Sequence, residues 1–228
     1  MSADGVPSNM SGPKVSFFGP MKGLDSATWS VETLPTGQLL AKIEHQTMRG
    51  VTPAMMRWWF EHIDEFTTWN GSDFSGPRVA HYRLWHPFDH IRVRWPRRVH
   101  DADGRLTVGS MIAIEEDLGG IDEVRAKAII TKFDDEAFNF DMMPAGPIRI
   151  GHLLHEYAAT EDGCSFYTEM LAGFSGPISR LFNPLIRHVL GGEDFVRTWV
   201  LHNIEESGET EHILPALHAQ AMQGRTDQ

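Results

Sequence analysis

Between residues 79 and 174 apolar and polar side chains alternate in short runs: VAHYRLW, HIRVRW, RLTVGSMIAIEE, VRAKAIITKFDD, AFNFDMM, IRIGHLLHEYAA and CSFYTEMLAGF. Most are divided by Gly, Pro, Asp or Asn. A period of two marks half-buried strands, and turn residues at short spacing join them as antiparallel hairpins. Upstream, after a loop-like start, GQLLAKIEHQTMRG reads as extended. TPAMMRWWFEHIDEF opens with Thr52 as a cap and Pro53 in the first turn, which predicts a helix, and TTWNGSDFSGP is turn chemistry. From Ser179 to about Met222 the chain reads as helical, broken at Gly191 and Gly192, with a second break expected near Ser207 and Gly208. Segregated strands and helices predict an α+β fold. In it an antiparallel sheet of six or seven strands curls around one long C-terminal helix and leaves a cavity between the two.

The chain has 228 residues, enough for one domain. It is expected over residues 16–222, between a disordered tail at 1–15 and a short tail at 223–228. The net charge of -11 argues against nucleic acid as a partner, because phosphate neutralisation needs clustered Lys and Arg. The one basic cluster, RVRWPRRVH, is short and reads as a solvated strand edge. With Cys164 as the single cysteine no intrachain disulfide can form, which points to a reducing compartment, the cytoplasm. MSADGVPSNMSGP has neither a basic start nor an apolar run, so no secretory leader is expected. No run approaches about 20 apolar residues, so no membrane span is expected.

The chemistry is carried by RTWVLHNIEESGE. At 100° per residue, His202 and Glu206 fall on either side of Phe195, with Trp199 next to Glu206, on the helix's apolar arc. A carboxylate there needs a compensating cation, and residues i and i+4 on a helix converge on one point, as in zinc sites. Taken alone, this spacing is also that of an ordinary helix-surface His–Glu pair. In the strands, alternation places His152 with Ile148, Ile150 and Leu154 on an inward face. Glu116 shares a face with Ile112 and Ile114, which favours it over Glu115 as the inward carboxylate. Tyr82, His86 and His90 lie in HYRLWHPFDHIRVRW, where Ile91, Val93 and Trp95 oppose His90. His90 can point inward only if the Pro87 region bends or ends the strand. Two histidines and two carboxylates meeting in one cavity would hold a divalent metal, zinc first, with iron, manganese or nickel also suited. No Gly-rich phosphate loop or G-x-S-x-G elbow is present, and the cysteine has no nucleophile signature.

YRLWHPFDH, with Tyr82 and His90 eight apart, HLLHEYAATEDGCSFY, with His152 and Tyr167 fifteen apart, and HNIEE, with His202 and Glu206, together resemble the 2,4-diacetylphloroglucinol hydrolase family, which includes phloretin hydrolase. The similarity runs from about Tyr82 to Glu206. It implies a Bet v 1-like helix-grip fold and zinc held by two His and two Glu. The implied activity is hydrolysis of the carbon–carbon bond between an acyl group and a phenolic ring. Carried onto this chain, the ligands would be His90, Glu116, His202 and Glu206. Tyr82, His152 and Tyr167 would face a small aromatic ketone, with His152 as proton shuttle. Three residues past His90, where the family's diacetylphloroglucinol enzyme has an Asn, this chain has Val93. Two other occupations suit such a cavity: a metal-free polyketide cyclase or aromatase, and a carrier of an aromatic or apolar ligand. A homodimer is compatible with all of these.

Overall fold

A computed structural model describes residues 13–120, 122–143, 148–177 and 179–226. In chain order the strands are β1 (Val15–Ser16), β2 (Gly19–Pro20), β3 (Thr28–Thr33), β4 (Leu39–Glu44), β5 (Met48–Arg49), β6 (Phe66–Thr68), β7 (Arg78–Ala80), β8 (His90–Arg97), β9 (Met111–Leu118), β10 (Asp122–Phe133), β11 (Phe138–Met142), β12 (Gly151–Ala159) and β13 (Gly163–Ala172). The helices are α1 (Pro53–His62), α2 (His81–Trp85), α3 (Ser179–Val189) and α4 (Gly192–Thr226). The main sheet is antiparallel in the order β3-β4-β13-β12-β11-β10-β9-β8, with β5 also on β13, and α4 packs against β3, β4, β5 and β9. This is the helix-grip architecture: a curved antiparallel sheet held around a C-terminal helix. Among the described residues no helix is long and apolar enough to cross a membrane.

Local chemistry explains most of the elements. The Thr52 hydroxyl accepts a hydrogen bond from the Met55 amide at 3.2 Å and caps α1, which buries Met56, Trp58, Trp59 and Phe60. β3 is an addition to the expected strands. Its alternation is carried only by Trp29 and Val31 among Thr, Ser and Glu, and it forms by pairing with β4. VAHYRLW is a correction. Only its start is a strand; His81 to Trp85 turn into α2, with the His86 amide bonded back to the Tyr82 carbonyl. The break at Gly191 and Gly192 is present, but the one expected near Ser207 and Gly208 is not, and α4 runs through both. Gly208 serves close approach: a Cβ there would lie 2.9 Å from Lys22 Cγ. Nor does the leading tail extend to 15. Residues 1–12 of that expected tail lie outside the described residues, whereas Lys14 and Val15 are placed against the fold.

The core has two apolar clusters. One joins α1, α2 and β8–β12 to Ile213, Leu214 and Leu217 of α4, and the other joins β3, β4 and Leu118 to Val196, Trp199, Val200 and Ile204. Between these stretches α4 does something a packing helix rarely does. His202 to Thr210 is buried throughout, although only Ile204 and Gly208 are not polar. Each of those polar groups needs a partner.

Candidate metal centre

Those partners come from the α2–β8 corner and from β9. The conflict over His90 is resolved by a register shift between His90 and Arg92 on β9. The extra residue lets His90, Val93 and Trp95 all point inward while Ile91 and Arg92 stay exposed. On β9, Ile112, Ile114, Glu116 and Leu118 face the cavity, whereas Glu115 pairs with Arg92 on the outer face at 2.7 Å. The choice between the two glutamates therefore falls on Glu116 for the interior.

The four expected ligands converge. His90 Nε2 lies 3.1 Å from Glu206 Oε2 and 3.8 Å from Glu116 Oε1, and His202 Nε2 lies 3.8 Å from Glu206 Oε2. Donor atoms at about 2.0–2.1 Å from a tetrahedral zinc would stand roughly 3.3 Å apart, so these separations suit a first-row divalent ion. Proton placement points the same way. His90 Nδ1 donates to the Tyr82 carbonyl at 2.7 Å, which makes Nε2 a lone pair. That lone pair is buried and has no hydrogen-bond partner. His202 Nδ1 donates to Asp89 Oδ2 at 3.0 Å, which likewise turns Nε2 inward. Such a carboxylate behind an imidazole fixes the tautomer of a metal-binding histidine. Asn203 Nδ2 donates to Glu206 Oε1 at 2.6 Å, and the Tyr82 hydroxyl donates to Glu116 Oε1. The Tyr82 ring stacks on His90 with centroids 3.6 Å apart. These residues fit a bound divalent metal.

Without a cation the site is electrostatically uncomfortable. Burial, reinforced by the Glu116 charge, pushes Glu206 up to about 8 against the pull of His202. Burial would lower His202, but the Asp89 hydrogen bond and the Glu206 and Glu116 carboxylates outweigh it and raise the imidazole to about 9. Burial and the neighbouring His202 and His86 hold His90 well below its ordinary value.

A second group, His86, Asp89 and His202, has donor atoms within 4.8 Å of one another, as do His90, Glu116 and His202, yet its protons are already assigned. The Asp89 amide donates to His86 Nδ1 at 2.9 Å, so a neutral His86 carries its proton on Nε2, 3.1 Å from Glu205 Oε2. The Lys14 ammonium stands 2.9 Å from Glu205 and 3.2 Å from Asp89. A cation is already in place there.

Glu116, His202 and Glu206 line the floor of a cavity of about 400 Å³, walled by Ile112, Phe138, Phe140, Leu153, Met170 and Trp199, while the fully buried His90 lies outside its lining. Tyr82 lines it, as expected. His152 and Tyr167 do not. The β12–β13 register puts His152, Glu156, Tyr167 and Glu169 on the opposite face of the sheet, where His152 Nε2 and the Tyr167 hydroxyl both meet the Glu169 carboxylate, at 3.1 and 2.7 Å. The inward placement of His152 is corrected for a local reason. Ile150 does line the cavity, but Gly151 has φ +136°, and the strand restarts beyond it with Leu153, His155 and Tyr157 inward.

His155 is the residue that the alternation reading missed. It is buried, it lines the cavity, and its Nδ1 donates to the Phe138 carbonyl at 2.9 Å, which leaves Nε2 as the acceptor. Burial lowers it to about 4. The unfolded chain, with an ordinary imidazole, takes up its proton first as pH falls, so His155 contributes stability above about pH 6.5 that is lost down to about pH 4. For one buried imidazole the loss is about 3 kcal/mol. Denaturant midpoints at pH 7 and pH 5 should show it. His155→Phe should flatten the difference, and an unchanged pH slope in that variant would remove His155 as its source.

No family model and no curated protein matches the chain in sequence. Solved structures do resemble it. A protein of unknown function, SA2116 from Staphylococcus aureus, is 10% identical, with 79% of this chain and 95% of that one covered and a TM-score of 0.42. CalU16 from Micromonospora echinospora is 11% identical over 82% and 98%, with a TM-score of 0.36. Ara h 8.0201 is 11% identical over 72% and 99%, with a TM-score of 0.37. The helix-grip architecture rests on the chain's own strand order and helix placement.

Proposed function

We propose that this chain is a zinc-dependent hydrolase that cleaves the carbon–carbon bond between an acyl group and a phenolic ring, or the equivalent bond of a β-diketone. The observation that carries the metal is the buried His90 Nε2 lone pair, without a hydrogen-bond partner and faced by Glu116 and Glu206. His90, Glu116, His202 and Glu206 would hold the ion. When bound it supplies Lewis acidity, polarising an acyl carbonyl or making a water more acidic. The carbon–carbon specificity comes from the motif resemblance, and the aromatic walls of the cavity suit a planar ring.

The reaction adds one water across the aryl–acyl bond, with hydroxyl to the acyl carbon and hydrogen to the ring carbon. The ring carbon can leave because phenolic hydroxyls let the ring take a β-diketone-like tautomer that accepts the bonding pair. His155, neutral near pH 7, accepts a proton at Nε2 from a ring hydroxyl and returns it to the ring carbon, and the proton released by the attacking water restores that hydroxyl once the bond has broken. Phe138, Phe140 and Trp199 exclude water around the ring, and the Tyr82 hydroxyl holds the Glu116 carboxylate in place.

Two measurements test this. Purified protein should contain about one equivalent of divalent metal by elemental analysis. With acylphloroglucinols and related β-diketones it should release short carboxylic acids, stop on chelation and resume with zinc. Protein that takes up neither zinc, manganese, iron nor nickel would leave a metal-free cyclase or a ligand carrier of the same architecture. Metal-replete protein inert on every acyl-phenol would remove the substrate assignment.

A further inference from the structure

In the N-terminal segment Phe18 packs on Trp69 and His212, whereas Val15 is 63% and Phe17 42% exposed. The segment is also tied to the molecule's centre. The Lys14 ammonium reaches between Asp89 Oδ1, at 3.2 Å, and Glu205 Oε2, at 2.9 Å. Ser16 Oγ donates to the buried Glu209 at 2.6 Å. Asp89 and Glu205 have side chains only 3% and 5% exposed, so their charges need a cation close by, and among the described residues Lys14 is the lysine or arginine that reaches both. Asp89 in turn holds His202 Nδ1 at 3.0 Å, and Glu205 holds His86 Nε2 at 3.1 Å. The side chains thus run in series: Lys14, Asp89, His202, then the Glu206 side of the metal centre.

We propose that Lys14 is a positioning residue for the metal centre, a protein-supplied cation that keeps Asp89 in place behind His202 so that the Nε2 lone pair faces the ion. This inference rests on the metal reading above. It assigns two cation positions, one on each side of the His202 ring. The Nε2 side is the metal's and the Nδ1 side is filled by an ammonium group. A metal at the second position would need His86 and His202 to give up protons already placed in hydrogen bonds. A lysine meets the charge without disturbing them. Removing it leaves two buried carboxylates sharing His86 and His202, and Asp89 loses the partner that opposes its swing towards His86 Nε2, 3.7 Å away.

The test is zinc affinity, measured by chelator competition on the full-length wild type, Lys14→Met, Lys14→Arg, Asp89→Asn and the Lys14→Met/Asp89→Asn double variant. Losing a partner behind a ligand histidine weakens metal binding about 10- to 100-fold, and that is the loss expected for Lys14→Met and for Asp89→Asn. Lys14→Arg should recover most of it, which a misfolded variant would not show. Because Lys14 acts through Asp89, the double variant should match Asp89→Asn alone within about twofold. Wild-type affinity in Lys14→Met, or losses that multiply in the double variant, would overturn the inference while the metal reading stands. A wild type that binds no zinc overturns both.

Discussion

His202→Ala is expected to purify without metal and to retain less than about 0.1% of wild-type turnover, since a Lewis acid contributes several kcal/mol and each 1.4 kcal/mol is tenfold. The substitution removes a ligand and also strands Asp89, whose carboxylate lies 3.0 Å from the lost Nδ1. Glu206→Gln is the cleaner companion. It keeps the shape and the Asn203 hydrogen bond but withdraws a ligand charge, so it should fold, bind zinc weakly and turn over slowly. Binding must also be linked to protons. In the metal-free site Glu206 titrates near 8 and His202 near 9, both above their ordinary values, and each must lose a proton to become a ligand. Zinc affinity should therefore climb between about pH 6 and 9, with proton release seen by calorimetry in buffers of different ionisation enthalpy. A pH-independent affinity, or His202→Ala with full metal content, would place the ion elsewhere.

The part of this centre that could be read from the sequence is the part governed by one element's own period. His202 and Glu206 follow from a helical wheel, and Glu116 follows from sharing a face with Ile112 and Ile114, because nothing interrupts either element between those residues. Alternation fails where the backbone steps out of register. The shift after His90 turns that imidazole inward against the parity of Ile91, Val93 and Trp95, and only the motif resemblance pointed to it. Gly151 does the reverse: it disconnects Ile150 from His152, so the parity set by Ile148 and Ile150 selects the wrong histidine. The signal for His155 was present in Leu153, His155 and Tyr157, had the count begun after the glycine. Lys14 had no signal of this kind. It sits in a polar, small-residue segment that reads as a tail, and its importance comes from pairing with Glu205, 191 residues away.

That displaced histidine gives the second large effect. His155→Gln should keep its zinc and its fold yet lose about 10²- to 10⁴-fold in turnover, the usual worth of a positioned acid–base group, because a carboxamide cannot take up and return a proton at neutral pH. His152→Gln, only three residues away in sequence, should stay within about twofold of wild type. It lies across the sheet from the cavity beside Glu169 and Tyr167, and substitutions in such partly exposed positions usually change little. Tyr167→Phe should be equally mild. The comparison needs only metal content and initial rates on one accepted substrate. It decides between the two histidines of the motif HLLHEY. If His152→Gln loses turnover with its zinc retained while His155→Gln does not, the proton path leaves through the outer face, and the cavity floor described above is not where the ring carbon is protonated.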